Sequence, residues 1–196
     1  MKEVRSNTER LSRVKKRVDK VRNSTESVDE DCLYPVVGVK SNIKNAEQLN
    51  IERPNCIFVD CENTDLDTVI RQSRRYMTFP FIFRSSYQSY HVIDATVNSV
   101  EQVMDVLEMI EVEDSNHRDI GYIRGDWVLR TDAKADKNPP RYITCVATPT
   151  DNAVFSKAHL DFLKGMYGVT MAGWLSQNFK TVESKNLDFV RYMTHE

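Results

Sequence analysis

The strongest constraint on what this chain can fold into is an alternation in its hydrophobic pattern. Short runs rich in β-branched and aromatic residues recur at 34–40 (YPVVGVK), 56–60 (CIFVD), 79–86 (FPFIFRSS), 89–95 (SYHVIDA), 126–132 (DWVLRTD) and 141–147 (RYITCVA). Such runs suit the pleated, half-buried surface of strands. Between them lie windows of helical period. Asp65 or Asp67 can cap LDTVIRQSRRY, whose apolar positions are Leu66, Val69, Ile70 and Tyr76. Ser99 can cap VEQVMDVLEMIE, where Val100, Val103, Met104, Leu107 and Ile110 fall on one face. A third helical window opens at Ser156 and carries Leu160, Phe162, Leu163 and Tyr167 before Gly168. Within it His159 reads as exposed or capping, and Trp174 and Tyr192 read as buried anchors of the last helices. The stretch Asn116-His117-Arg118-Asp119 reads as a polar helix start. Strands and helices mixed in this way imply an α+β or mixed α/β layered fold.

Charge divides the chain in two. Residues 1–22 hold nine Lys/Arg against three acids, a net of +6, so a chain of net charge -2 leaves -8 on the remainder. The apolar residues of this arm, Val4, Leu11, Val14, Val18 and Val21, form one heptad-like stripe. A basic helix is therefore expected, and the stripe allows it to dock on the body, to pair in a dimer, or to order on binding a polyanion. Residues 24–31 (STESVDED) read as an acidic linker, so we divide the chain into an arm with linker (1–31) and an α+β body with a helical C-terminal part (32–196). No apolar run approaches the ~18 residues of a membrane span, and the charged start MKEVRSNTER does not resemble a signal peptide. Cys32, Cys56, Cys61 and Cys145 show no metal-binding spacing. Free thiols in a reducing cytoplasm are expected.

Three of the strand runs carry polar groups where the apolar pattern ends. IFVDCE (57–62) places Asp60 and Glu62 two apart, and alternation along a strand would project both carboxylates from one face. Two like charges repel unless a cation sits between them or one takes a proton. Hard cations such as Mg2+ or Mn2+ prefer such oxygen ligands; a solvated loop with Asn63, Thr64 and Asp65 is the plainer alternative. SYHVID places Ser89 and His91 on one face, where the imidazole can meet a phosphate or simply satisfy a core carbonyl. WVLRTDAK brings Arg130, Asp132 and then Lys134, a set that suits phosphate binding or forms a surface ion pair. On the first helix Arg71, Arg74 and Arg75 lie one turn apart beside Tyr76, either tracking a nucleic-acid backbone or forming a solvated face.

In this order, DxE, SxH and then RxD with a lysine, the three groups resemble the motifs of the archaeo-eukaryotic primase superfamily, the primase-polymerases. That family has an hhhDxD/E strand, an SxH strand and a later strand bearing an acid. IFVDCE resembles the first in the DxE form of plasmid-type members, RSSYQSYHV the second, and GDWVLRTDAK the third. GYIRGDWVLRTDAK also looks like a branch of archaeal primase-like proteins with a Trp-x-Leu-Arg sequence at this place. The likeness spans roughly residues 55–147. Glycines usual around the second motif's serine are replaced here by Tyr87, Gln88 and Tyr90, Asp126 rivals Asp132 as the third acid, and no zinc-binding stem is visible.

The resemblance implies a primase-polymerase-like α+β fold, with a mixed or antiparallel sheet flanked by helices. It implies nucleotidyl transfer from nucleoside triphosphates on a single-stranded DNA template, with replication proteins as candidate partners. Asp60, Glu62 and Asp132 would hold Mg2+ or Mn2+, and Ser89, His91, Arg130 and Lys134 would hold the nucleotide. Arg71, Arg74 and Arg75, or the N-terminal arm, would contact nucleic acid. Two alternatives are a catalytically inactive primase-like nucleic-acid-binding or replication-accessory protein and a metal-dependent nuclease.

Overall fold

The computed structural model describes residues 34–44, 49–134, 137–147, 152–183 and 187–194. The expected basic arm and its linker fall outside the described residues. The body is α+β, with antiparallel and mixed sheets and, among the described residues, five helices. The strands are β1 (Tyr34–Lys40), β2 (Asn55–Cys61), β3 (Pro80–Ser86), β4 (Ser89–Asn98), β5 (Val128–Arg130), β6 (Arg141–Cys145), β7 (Val154–Ser156), β8 (Lys180–Val182) and β9 (Phe189–Thr194). The helices are α1 (Leu66–Tyr76), α2 (Val100–Met109), α3 (Ser115–Arg124), α4 (Lys157–Tyr167) and α5 (Thr170–Asn178).

One sheet has the order β5-β1-β9; the other runs β6-β3-β4-β7-β8, with β2 also paired to β4. Every pairing is antiparallel except β7 with β8. Because β4 is, among the described residues, the one strand that β2 pairs with along its length, β2 lies at an edge. Its open side is not left to solvent. Cys56 donates to the Ser41 carbonyl at one end, and an isolated bridge joins Cys61 to Glu113 at the other. Covering an exposed strand edge in this way blocks intermolecular pairing.

The caps fall where residue chemistry puts them. Asp65 accepts from the Thr68 amide at the start of α1, and Ser99 with Gln102 forms a full capping box on α2. On α2 the buried Val100, Val103, Met104 and Leu107 pack toward β2 and β4. Each fully buried side chain of this kind stabilises the fold by about 1.5–3 kcal/mol. α3 begins at Asp114, whose side chain accepts from the Asn116 and His117 amides, so the polar stretch at 116–119 is indeed the start of a helix. It ends at Gly125, which takes the left-handed conformation (φ 85°) that favours glycine. Within α3, Gly121 sits against the fully buried Trp127; a Cβ there would lie 2.2 Å from the indole ring.

The C-terminal third departs from expectation. Trp174 is 49% exposed on α5 instead of forming a buried anchor, and Tyr192 lies on a strand, β9, paired across to Val36 of β1. His159 is buried, not exposed. Its ring bonds to the Ser156 hydroxyl (2.7 Å) and the Lys40 carbonyl (2.9 Å), and burial moves its pKa down to about 4. Both nitrogens are satisfied, so this histidine is part of the core.

Candidate functional site

A cavity of about 470 Å³ opens where the two sheets meet, within the range of small-ligand pockets. Six of the residues singled out in the sequence line it: Asp60, Glu62, Ser89, His91, Arg130 and Lys134. They arrive from separate elements. Asp60 is near the end of β2 and Glu62 just beyond it, Ser89 and His91 open β4, and Arg130 ends β5 with Lys134 four residues further on. Acids therefore come from the edge of one sheet and cations from the other.

The register explains the central pair. Asp60 stands opposite His91 on β4, yet its amide and carbonyl both bond away from β4, to Glu113 and Asp114. This makes Asp60 and His91 a non-hydrogen-bonded pair, the kind whose side chains lie closest. The His91 Nε2 is 3.7 Å from Asp60 Oδ1. Burial drives His91 down to about 3, helped by the positive charges of Arg130 and His117. The imidazole is thus neutral at ordinary pH. Burial also raises Asp60 to about 6; His117 and Arg130 oppose the rise, while Glu62 and Asp114 add to it.

Arg130 is held by main-chain carbonyls. One terminal nitrogen donates to Ser85 (2.7 Å), and the other donates to Asp132 and Asn138. Its guanidinium is therefore a fixed cation in the wall. Lys134 and Lys137 exchange backbone hydrogen bonds (2.9 and 2.6 Å), and both line the cavity.

The other candidates lie elsewhere. Asp132 does not line the cavity; its carboxylate accepts from the Val37 amide at 3.1 Å. It follows the end of β5, where strand alternation no longer aligns it with Arg130. The rival Asp126 pairs with Lys40 and Arg124 and is also absent from the lining. Arg71, Arg74 and Arg75 are exposed on α1 and line neither this cavity nor its neighbour. Among the described residues, no group of three or more His, Cys, Asp or Glu side chains is arranged to hold a metal ion.

Sequence reasoning did not assign Asp114 and His117, which also line the cavity, or the buried Glu113 that bonds to His117. Glu113 is a buried carboxylate with both oxygens used: one accepts from the Asp60 amide (2.9 Å), the other meets His117 Nδ1 (2.7 Å). His117 Nε2 reaches the Val128 carbonyl (3.1 Å). Burial pushes Glu113 up. Burial also opposes protonation of His117, but Glu113, Asp60 and Asp114 outweigh it and leave His117 above its ordinary value. The Glu113–His117 spacing of four on a helix start was the available signal, hidden by the break in period at Asp114.

A second groove of about 950 Å³ shares Glu62, Ser85, Ser86, Ser89 and Lys137 with the first. Its remaining lining includes Arg84, Arg141, Tyr142 and Tyr87, the last 87% exposed in the β3–β4 turn. No known protein family, curated protein or solved structure matches the chain.

Proposed function

We propose that this chain is a metal-dependent nucleotidyltransferase core of the primase-polymerase kind, acting in the cytoplasm on nucleoside triphosphates and a single-stranded DNA template. The observation that carries the reading is one cavity lined both by Asp60 and Glu62 and by Arg130, Lys134 and Lys137. A triphosphate is polyanionic and travels with a divalent cation, so it suits a pocket with carboxylates on one side and cations on the other. The donor set fits Mg2+ or Mn2+ in that company: two carboxylates do not close a site, but such cations are commonly held by one or two carboxylates plus substrate phosphates. When bound, the cation would lower the pKa of an attacking hydroxyl and offset charge on departing pyrophosphate.

The chain's own groups then have separable tasks. Asp60 and Glu62 hold the cation. The fixed guanidinium of Arg130, with Lys134 and Lys137, neutralises phosphate charge without reorganising. Neutral His91, beside Asp60, offers a hydrogen bond to a phosphate oxygen. The template lies along the neighbouring groove, with Arg84, Lys137 and Arg141 toward the backbone and Tyr87 toward a base.

A catalytically inactive nucleic-acid-binding protein is the second reading, and the outward turn of Asp132 favours it. The test is extension of a primed single-stranded template with labelled nucleotides and Mn2+ or Mg2+. Incorporation by the wild type, lost in Asp60→Ala and kept in Asp132→Asn, supports the enzyme. Oligonucleotide and nucleotide binding without incorporation supports the second reading, and absence of both overturns the two together.

A further inference from the structure

We propose that Glu113 and His117 are positioning residues: together they clasp the acid-bearing strand β2 to the cation-bearing strand β5 and so set the distance across the cavity. This role rests on the proposed nucleotidyl-transfer reading, but its mechanical half stands on geometry alone.

The clasp runs through four successive contacts. The Asp114 amide donates to the Asp60 carbonyl (2.8 Å), and the Asp60 amide donates to Glu113 Oε2 (2.9 Å). Glu113 Oε1 meets His117 Nδ1 (2.7 Å), and His117 Nε2 meets the Val128 carbonyl (3.1 Å). Asp60 belongs to the six-stranded sheet and Val128 to the three-stranded sheet, two residues before Arg130. A strand end at a sheet edge ordinarily frays, because one side of its backbone has no partner. Here the end that carries Asp60 is held on its open side by a carboxylate, and that carboxylate is held by a ring tied to the opposite wall. Both Glu113 oxygens and both His117 nitrogens are used, so neither group can move without breaking a buried bond.

A merely structural pair would leave the two ligand-binding ends independent. A positioning pair couples them, because a cation at Asp60 and Glu62 and a phosphate at Arg130 must share one geometry. Groups that orient first-contact residues typically change affinity or activity 10- to 100-fold when removed.

The experiment uses the full chain and two kinds of readout. The first needs no ligand: amide resonances of Asp60 and the side-chain Nε–H of Arg130 are followed by NMR in wild type, His117→Ala and Glu113→Gln. Both signals are expected to shift or broaden in His117→Ala, and to move less in Glu113→Gln, which keeps an acceptor for the Asp60 amide and a donor for the ring. The second readout is the factor by which Mn2+ tightens the binding of inorganic triphosphate. In His117→Ala that factor is expected to fall roughly tenfold, a loss of coupling over and above any change in the binding of either probe added alone. Unmoved Asp60 and Arg130 signals in His117→Ala, or an unchanged coupling factor, overturn the clasp. If the wild type binds neither Mn2+ nor triphosphate, the functional reading fails, and the NMR comparison still decides whether the two walls are joined.

Discussion

Replacing Asp60 by asparagine tests whether the strand-end carboxylate sits in the fold against its own preference for water. In the folded chain its pKa is raised to about 6 from 3.8, burial being the largest cause. A raised carboxyl contributes stability that is complete below its unfolded value and is lost as pH climbs through its folded value. Above about pH 6 the native protein therefore carries the whole penalty, while below about pH 4 it carries none. A difference of about 2 pKa units at 1.36 kcal/mol each sets an upper limit of roughly 3 kcal/mol. Asparagine keeps the shape and removes the charge, but its amide hydrogens need partners, which offsets about 1 kcal/mol.

The expected gain for Asp60→Asn is thus about 1–2 kcal/mol at pH 8, or a Tm higher by about 2–8 °C in a domain of this size. The assay is thermal unfolding by circular dichroism at pH 8 and pH 4.5, run beside metal-dependent nucleotide incorporation. The gain should be present at pH 8, shrink toward zero at pH 4.5, and accompany loss of incorporation. Such a trade is ordinary at functional sites, where groups are kept for chemistry at the expense of stability. A variant that melts lower than wild type at pH 8, or one whose gain is the same at both values, refutes the reasoning.

Two further outcomes follow from the same geometry. Cation-dependent triphosphate binding needs Asp60 ionised, so affinity measured by calorimetry with Mn2+ should fall as pH drops through about 6, in company with the neighbouring Glu113, which burial pushes up to about 7; His91, already neutral down to about pH 3, adds no inflection there. A maximum at acidic pH would show that a protonated group carries the binding instead. Gly121→Ala forces a methyl group into the Trp127 ring inside the core, and overpacking of this kind should destabilise the chain by about 1–3 kcal/mol in urea unfolding, with no gain from lost helix flexibility surviving.

The legible parts of this fold are those where local chemistry decides the outcome. Asp65 and Ser99 announce their helices because a short polar acceptor before an apolar period has one good use. The strands through 56–60, 79–86 and 89–95 are read from β-branched and aromatic density, and Ser89 with His91, two apart on β4, both line the cavity. The same alternation argument misleads at Asp132. β5 stops at Arg130, and once the strand ends spacing no longer fixes direction. β9 was hidden for a related reason: FVRYMT is short and amphipathic, and nothing local separates such a run from the end of a helix. Trp174 shows the weakness of reading size as burial, because an aromatic ring on a helix is buried only if another element covers it.

The site was legible as pairs and illegible as a wall. Ser89 and His91 are two apart on β4, so strand geometry brings that pair together, while Glu62, one residue past the end of β2, also reaches the cavity. Glu113 and His117 reach the site through an edge: β2 has one full strand partner, and its open side is filled by whatever the chain folds against it. No periodicity encodes that choice. It follows that the β2 edge is closed by the backbone's need for partners, with Glu113 accepting the Asp60 amide as a neighbouring strand would. The same requirement keeps Asp132 out of the cavity. Its carboxylate answers the Val37 amide of β1, and turning it into the cavity would leave that donor without its partner. A buried donor stripped of its acceptor costs about 1–3 kcal/mol, so the inward rotation is opposed unless a bound cation supplies more than this. The placement of Glu113 at the β2 edge and of Asp132 beside β1 thus has one cause, the need of each sheet's backbone amides for acceptors.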